Sequence, residues 1–296
     1  GVNSWTSVST GNWSSRCTFS RIRRPSSRPG PRGLSAEVRL ALSKDDLKIR
    51  GILKKLLQNV DLFCMQDDVY ARRIKELGAA EDNVINTGTF KYDIEVKDRD
   101  LAWLPALGPP VVVVGSTHRG EDALMVRAFN ALRGEYPSMS MVLAPRHPER
   151  FDEVETLAKA EGATCVRRST LKGTEDASGS VVLLDTVGEL SSVYRAADVV
   201  IMGGSFVEHG GQNPLEAAFW SKPVICGPHM WNFPFIDEFY GEDAAVRTSQ
   251  GELEATLRSL LGDSERARAI GERGRSIVDR NRGAVSRALS AVERLF

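Results

Sequence analysis

The sequence predicts an α/β fold: a parallel β-sheet covered by helices on both faces, preceded by a shorter, incomplete unit of the same kind. Three observations carry that expectation. From Val111 onward, short runs of Val, Ile, Leu and Met alternate with stretches of helical period, the order that builds parallel strands joined by crossover helices. Four of the runs end in polar or glycine-rich loops, as strands do where a ligand binds beyond their carboxyl ends. The same alternation shows only briefly before residue 96.

Residues 1–45 stand apart. Between Gly1 and Leu40 lie seven arginines, many serines and a single acid, Glu37, so the segment buries little and is expected to lack a fixed fold. Its composition resembles that of an organelle transit peptide, although the chain begins with Gly rather than Met; a misread or truncated end is the alternative. Residues 46–95 turn regular. Ile49, Ile52, Leu53, Leu56 and Leu57 repeat at helical spacing, and Val60 to Met65 suits a buried strand. Val69 to Leu77 reads as a helix stopped at Gly78, and Val84 to Thr87 as one more short strand. Over residues 96–110, Pro105, Gly108, Pro109 and Pro110 follow a charged stretch and break the pattern, which predicts an interdomain linker.

Residues 111–296 then form the larger domain. Strands are expected at Val111 to Gly115, Met139 to Ala144, Thr164 to Val166, Val181 to Leu184, Val199 to Met202, Pro223 to Cys226 and Ala245 to Arg247. Phe151, Val154, Leu157 and Ala158 make one helical stripe; Leu253, Leu257, Leu260 and Leu261 make another. Val285, Leu289, Val292 and Leu295 mark an amphipathic closing helix.

Composition excludes several functions. Lys plus Arg and Asp plus Glu both total 39, so no global field recruits nucleic acid. No apolar run approaches the roughly 18 residues that span a bilayer. Cys17, Cys64, Cys165 and Cys226 share no C-x-x-C spacing, which predicts reduced thiols, no zinc site and no other metal.

Chemistry is expected in the four loops. In Gly115 to Glu121, Ser116 and His118 precede a helix whose amino end attracts an anion; the plainer role is a capped helix start with Ser116 or Thr117 as N-cap. In Pro145 to Phe151, prolines stiffen the backbone around Arg146 and His147, and the arginine fork suits phosphate or carboxylate; alternatively it pairs with an acid. In Asp185 to Leu190, which includes Gly188, Asp185 and Thr186 are expected to cap a helix near Glu189. The fourth loop joins Gly203, Gly204 and Ser205 to His209, Gly210, Gly211, Gln212, Asn213 and Pro214, with Glu216 in the next helical turn. Glycines there free amides for phosphate, while an acid accepts from ribose hydroxyls; a tight turn with a capping Glu is the bland alternative.

Taken in order, G-S-T-H-x-G-E at Gly115 to Glu121, P-R-H-P-E-R-F at Pro145 to Phe151, D-T-x-G-E-L at Asp185 to Leu190, G-G-S with G-G-x-N-P-L-E at Gly203 to Glu216, K-P-V-x-x-G-P-H with N-F at Lys222 to Phe233, and N-R-G-A at Asn281 to Ala284 resemble the Kdo (3-deoxy-manno-octulosonic acid) transferases. That resemblance implies a GT-B glycosyltransferase: residues 111–296 as a Rossmann-like carboxyl-terminal domain, residues 46–95 as a remnant of the amino-terminal, acceptor-binding one. It implies transfer of Kdo from CMP-Kdo to a lipid A precursor (lipid IVA), inverting and without metal or cofactor, in lipopolysaccharide biosynthesis. It further implies Arg146 and His147 near the donor's phosphate or carboxylate, Gly188, Gly203, Gly204, Ser205 and Gly211 along the nucleotide, and Asn213 and Glu216 toward ribose or phosphate. Ser116 and His118 fall on the cleft's edge. The catalytic base, a glutamate in a G-E segment, and the membrane-associating stretch are expected in an amino-terminal domain not found here, so the chain is expected to turn over little by itself. The implied location is the cytoplasmic face of an inner membrane, or an organelle if the first segment targets one. Gln212 and Ala217 depart from the family's usual His and Pro. Another nucleotide-sugar transferase or epimerase of the same fold, or a noncatalytic nucleotide-binding fragment, are the competing readings.

Overall fold

The computed structural model describes residues 47–96 and 98–295. The expectations for residues 1–45, Cys17 among them, and for Lys97 lie outside the described residues. In chain order the helices and strands are α1 (Leu47–Leu57), β1 (Phe63–Met65), α2 (Asp68–Glu76), β2 (Val84–Asn86), β3 (Val111–Thr117), α3 (Asp122–Leu132), β4 (Ser140–Pro145), α4 (Phe151–Ala160), β5 (Cys165–Arg167), β6 (Val181–Leu183), α5 (Leu190–Val193), β7 (Val199–Met202), α6 (Leu215–Phe219), β8 (Val224–Cys226), α7 (Ile236–Gly241), β9 (Val246–Arg247), α8 (Leu253–Gly262), α9 (Ser264–Asn281) and α10 (Ala284–Glu293). The described residues divide into two compact units, one comprising those up to Asp93 together with those from Asn281 onward, the other those between Ile94 and Arg280.

In the first unit β1 and β2 pair in parallel, Phe63 opposite Val84, over a core of Leu57, Val60, Phe63, Met65, Ile74, Ala79 and Val84. Asp67 caps α2 by accepting from the Tyr70 amide at 2.8 Å, and Gly78, at φ 109°, turns the chain off its end. The amino end of α10 is capped from a distance: the Asp93 carboxylate accepts from the amides of Gly283 and Val285.

The second unit is a seven-stranded, wholly parallel sheet in the order β5-β6-β4-β3-β7-β8-β9. Val112 and Val114 join the core that α3, α4 and α8 cover, with Phe129, Leu132, Val154, Leu257 and Leu260. Val113, between them, points to the other face and is equally inaccessible, so both faces are buried and the strands read as unbroken apolar runs. Each such valine contributes on the order of 1.5–3 kcal/mol. The expected strands are found, β7 with the expected bounds and the others shifted by one to three residues at one end or both; Met139, for instance, precedes β4 and packs into the core.

The division differs from the expected one in two places. Residues 96–110, expected as a linker, belong to the larger unit: the Trp103 indole donates to Glu189, Ala106 accepts from the Ala177 amide, and the Gly108 amide donates to Ser140 Oγ. Proline and glycine there mark an irregular path that packs on the larger unit through Leu101, Trp103, Ala106 and Leu107, with Pro105 and Pro109 left exposed. Residues 281–296, expected with the larger domain, return to the first unit, where Arg287 Nε reaches the Thr87 carbonyl at 2.8 Å.

Candidate functional site

β3 lies where the strand order reverses: β4, β6 and β5 are added on one side, β7, β8 and β9 on the other. At such a reversal neighbouring loops diverge and leave a crevice beyond the carboxyl ends. Gly115 of β3 stands opposite Ala144 of β4 and Met202 of β7, so three loops leave the sheet at one level. The register shifts between Gly115 and Thr117, and Ser116 in that bulge adopts φ 59°. Its carbonyl lies 2.4 Å from where a Cβ on Gly203 would stand, which is why the β7 loop must begin with glycine.

A buried carboxylate ties two of these loops together. Glu121, fully inaccessible, accepts from the amides of His118 at 2.8 Å, Gly204 at 2.7 Å and Phe206 at 2.9 Å. Burial pushes its carboxyl pKa up, against the pull of those three bonds. The third loop is tied by a buried ion pair: Arg150 contacts Asp122 and donates to the Thr117 carbonyl at 3.0 Å, while Thr117 Oγ1 donates to Asp122 at 2.6 Å.

On this frame the imidazoles converge. His118 stacks on His209, centroids 4.0 Å apart, and meets His147 edge-on at 5.6 Å; Gln212 Nε2 stands 2.8 Å from its Nε2. Burial, then His209, His147, Arg150 and Arg146, lower the His118 pKa to about 4. Despite the three rings, among the described residues no group of three or more His, Cys, Asp or Glu is placed to hold a metal ion. Arg146 is exposed; its amide donates to Thr117, and among the described residues its guanidinium has no acceptor.

The expected site residues separate into groups. Ser116, His118, Arg146, His147, Gly203, Gly204 and Gln212 surround the mouth formed by the β3, β4 and β7 loops. The amides expected to be freed for phosphate at Gly203, Gly204 and Gly211 are instead bonded within the protein, to Gly115, Glu121 and Gly204. Among the described residues the amides of Gln212 and Asn213, like that of Gly210, have no protein acceptor. Ser205 is likewise internal, donating to Met202 and accepting from the Gly227 amide at 2.7 Å, so its hydroxyl locks the loop. Asn213 Oδ1 accepts from Leu215, a cap that leaves its amide nitrogen available. Glu216 is half-buried, its carboxyl pKa raised by burial, and Tyr194 lies close enough to feel its charge. Gly188 sits on an exposed turn whose nearest neighbour is Arg99. Asp185 does not cap α5; it takes the amide and hydroxyl of Ser169 at 2.8 and 2.6 Å. Nor does Ser116 or Thr117 cap α3, whose N-cap is Glu121.

Glu121 and Arg150 were not singled out from sequence. An acid in a helix's first turn ordinarily faces water, and nothing local marks this one as buried; only its place in the G-S-T-H-x-G-E string was legible.

Residues 35–94 match the family model described as 3-deoxy-D-manno-octulosonic-acid transferase (kdotransferase). The chain is 34% identical over 233 residues to the 3-deoxy-D-manno-octulosonic acid transferase of Haemophilus influenzae, covering 76% of this chain and 54% of that protein. With the enzyme of the same name from Bordetella pertussis it shares 40% over 188 residues, 61% of this chain and 44% of the other. The chain thus spans about half the length of the curated relatives it matches. Among solved structures, the C-terminal CMP-Kdo binding domain of WaaA from Acinetobacter baumannii superposes with a TM-score of 0.52 at 30% identity, covering 58% of this chain and 91% of that domain.

Proposed function

Since the chain belongs to the 3-deoxy-D-manno-octulosonic-acid transferase family, we propose that its larger unit holds CMP-Kdo, and that the protein transfers Kdo from it to a lipid A precursor. The observation that carries this reading is the unpaired guanidinium of Arg146, whose backbone amide is anchored to Thr117 at the mouth where the β3, β4 and β7 loops meet. A phosphate or sugar carboxylate offers that fork two oxygens. The amides of Gln212 and Asn213, on the β7 loop, have no protein acceptor among the described residues, and Glu216 supplies an acceptor for ribose.

On this reading the acceptor hydroxyl loses its proton to a carboxylate base, attacks the anomeric carbon from the far side, and CMP departs as an anion stabilised by Arg146 and fixed N–H donors. Configuration inverts in one displacement. We assign the base to no residue of the larger unit. No metal or organic cofactor takes part in the proposed step, and the leaving group's charge falls to protein donors. The acceptor, a lipid, is met at a membrane surface on the cytoplasmic side, from which the protein works peripherally; among the described residues no helix is long and apolar enough to cross a membrane.

Calorimetric titration with CMP and with UDP tests the donor. CMP is expected to bind more tightly, and Arg146→Ala and Glu216→Ala to weaken it by about 1.5–3 kcal/mol each, roughly ten- to hundredfold. Equal affinity for both nucleotides, or unchanged CMP affinity in both variants, would defeat the assignment.

A further inference from the structure

The contact between Gln212 and His118 joins two loops and decides where one proton sits. An amide nitrogen only donates, so a Gln212 Nε2 standing 2.8 Å from His118 Nε2 requires that ring nitrogen to accept. A neutral imidazole carries one N–H, which then belongs to Nδ1. We infer that Gln212 is a positioning residue: it donates to Nε2 of His118 and so turns a neutral Nδ1–H toward an anionic oxygen of the nucleotide-linked sugar. This rests on the donor-binding reading above and names how that site presents a second, uncharged donor beside Arg146.

Every charged or titratable group facing the ring agrees with the neutral form. From the β3 loop, Glu121 takes the His118 backbone N–H and leaves the ring alone. From the β4 loop come Arg146, His147 and the buried Arg150; from the β7 loop, His209 stacks at 4.0 Å with its plane tilted by 25°. Burial first, then these rings and cations, lower the His118 pKa to about 4, which favours the neutral ring near neutrality. With no second proton available, the Gln212 amide alone chooses the tautomer. Among the described residues Nδ1 has no protein partner, and it is not one of the buried polar atoms left without one, so it stands open to the crevice. The division of labour is then physical. Arg146 supplies charge, while His118 supplies direction without adding a further cation for departing CMP to leave behind.

Imidazole correlation spectra of the nitrogen-15-labelled chain, recorded with and without CMP, test this. At about pH 7 the unaltered protein is expected to show His118 protonated on Nδ1 and bare on Nε2. Gln212→Glu, which can only accept, should move the proton to Nε2 and raise the titration midpoint of His118 to about 6.5 or above. Gln212→Leu, compared at matched thermal stability, should show mixed tautomers and a roughly three- to tenfold loss of CMP affinity. A proton on Nε2 in the unaltered protein, or no tautomer change in Gln212→Glu, overturns the inference while leaving CMP binding intact. Failure of the unaltered chain to bind CMP at all overturns the donor reading and, with it, the ligand half of this inference.

Discussion

At the scale of single residues, the carboxylate of Glu121 shows how a group that never meets solvent can set a site's shape. Its two oxygens take three amides from two loops. Glu121→Gln keeps the volume but turns one oxygen into an NH2 that must face an amide donor. The expected cost is about 1–3 kcal/mol in urea unfolding, with CMP affinity falling as well because His118 and Gly204 lose their anchor. A variant as stable as the unaltered chain would show that the three bonds contribute nothing net. Sequence made Arg146 visible because stiffening prolines and a strand end are local features. It could not make Glu121 visible, since its partners Gly204 and Phe206 are encoded more than 80 residues away.

At the scale of elements, the strands were legible because a sheet buried on both faces needs unbroken apolar runs, and β3, β4 and β7 supply them. The glycines of the β7 loop were legible too, but for the wrong reason. They were expected to free amides for a ligand, whereas they chiefly let two backbones approach. A Cβ on Gly227 would stand 2.2 Å from the Ser205 carbonyl, and the Gly227 amide also holds Ser205 Oγ at 2.7 Å. Gly227→Ala must therefore push the β7 and β8 loops apart. The expected loss is about 1–3 kcal/mol of stability with weakened CMP binding, against about 1 kcal/mol for Ser205→Ala, which removes one bond and no space. Thermal unfolding of the two variants side by side checks the ranking, and an equal or reversed order would mean that steric approach is not what the glycine serves.

At the scale of the whole molecule, the surprise lies in which unit owns the carboxyl end. Helical periodicity continues from α9 into α10 with only Arg282 and Gly283, the latter at φ 90°, between them, so the sequence alone counts residues 281–296 with the larger domain. The return to the first unit is written in Asp93, whose carboxylate caps α10 from about 190 residues away, and in Arg287, which reaches Thr87 beside β2. Such a link carries no local pattern. It does carry a consequence, because the sheet, its core and the Arg146, His118 and Gln212 mouth all lie within Ile94–Arg280. A chain ending at Arg280 is therefore expected to keep CMP affinity within about twofold, a change of roughly 0.4 kcal/mol. Its first unit, deprived of α10, should open locally, so the amides of β1 and β2 exchange with deuterium faster than in the full chain. If truncation instead abolished CMP binding while β1 and β2 stayed protected, the closing helix would belong energetically to the larger unit after all.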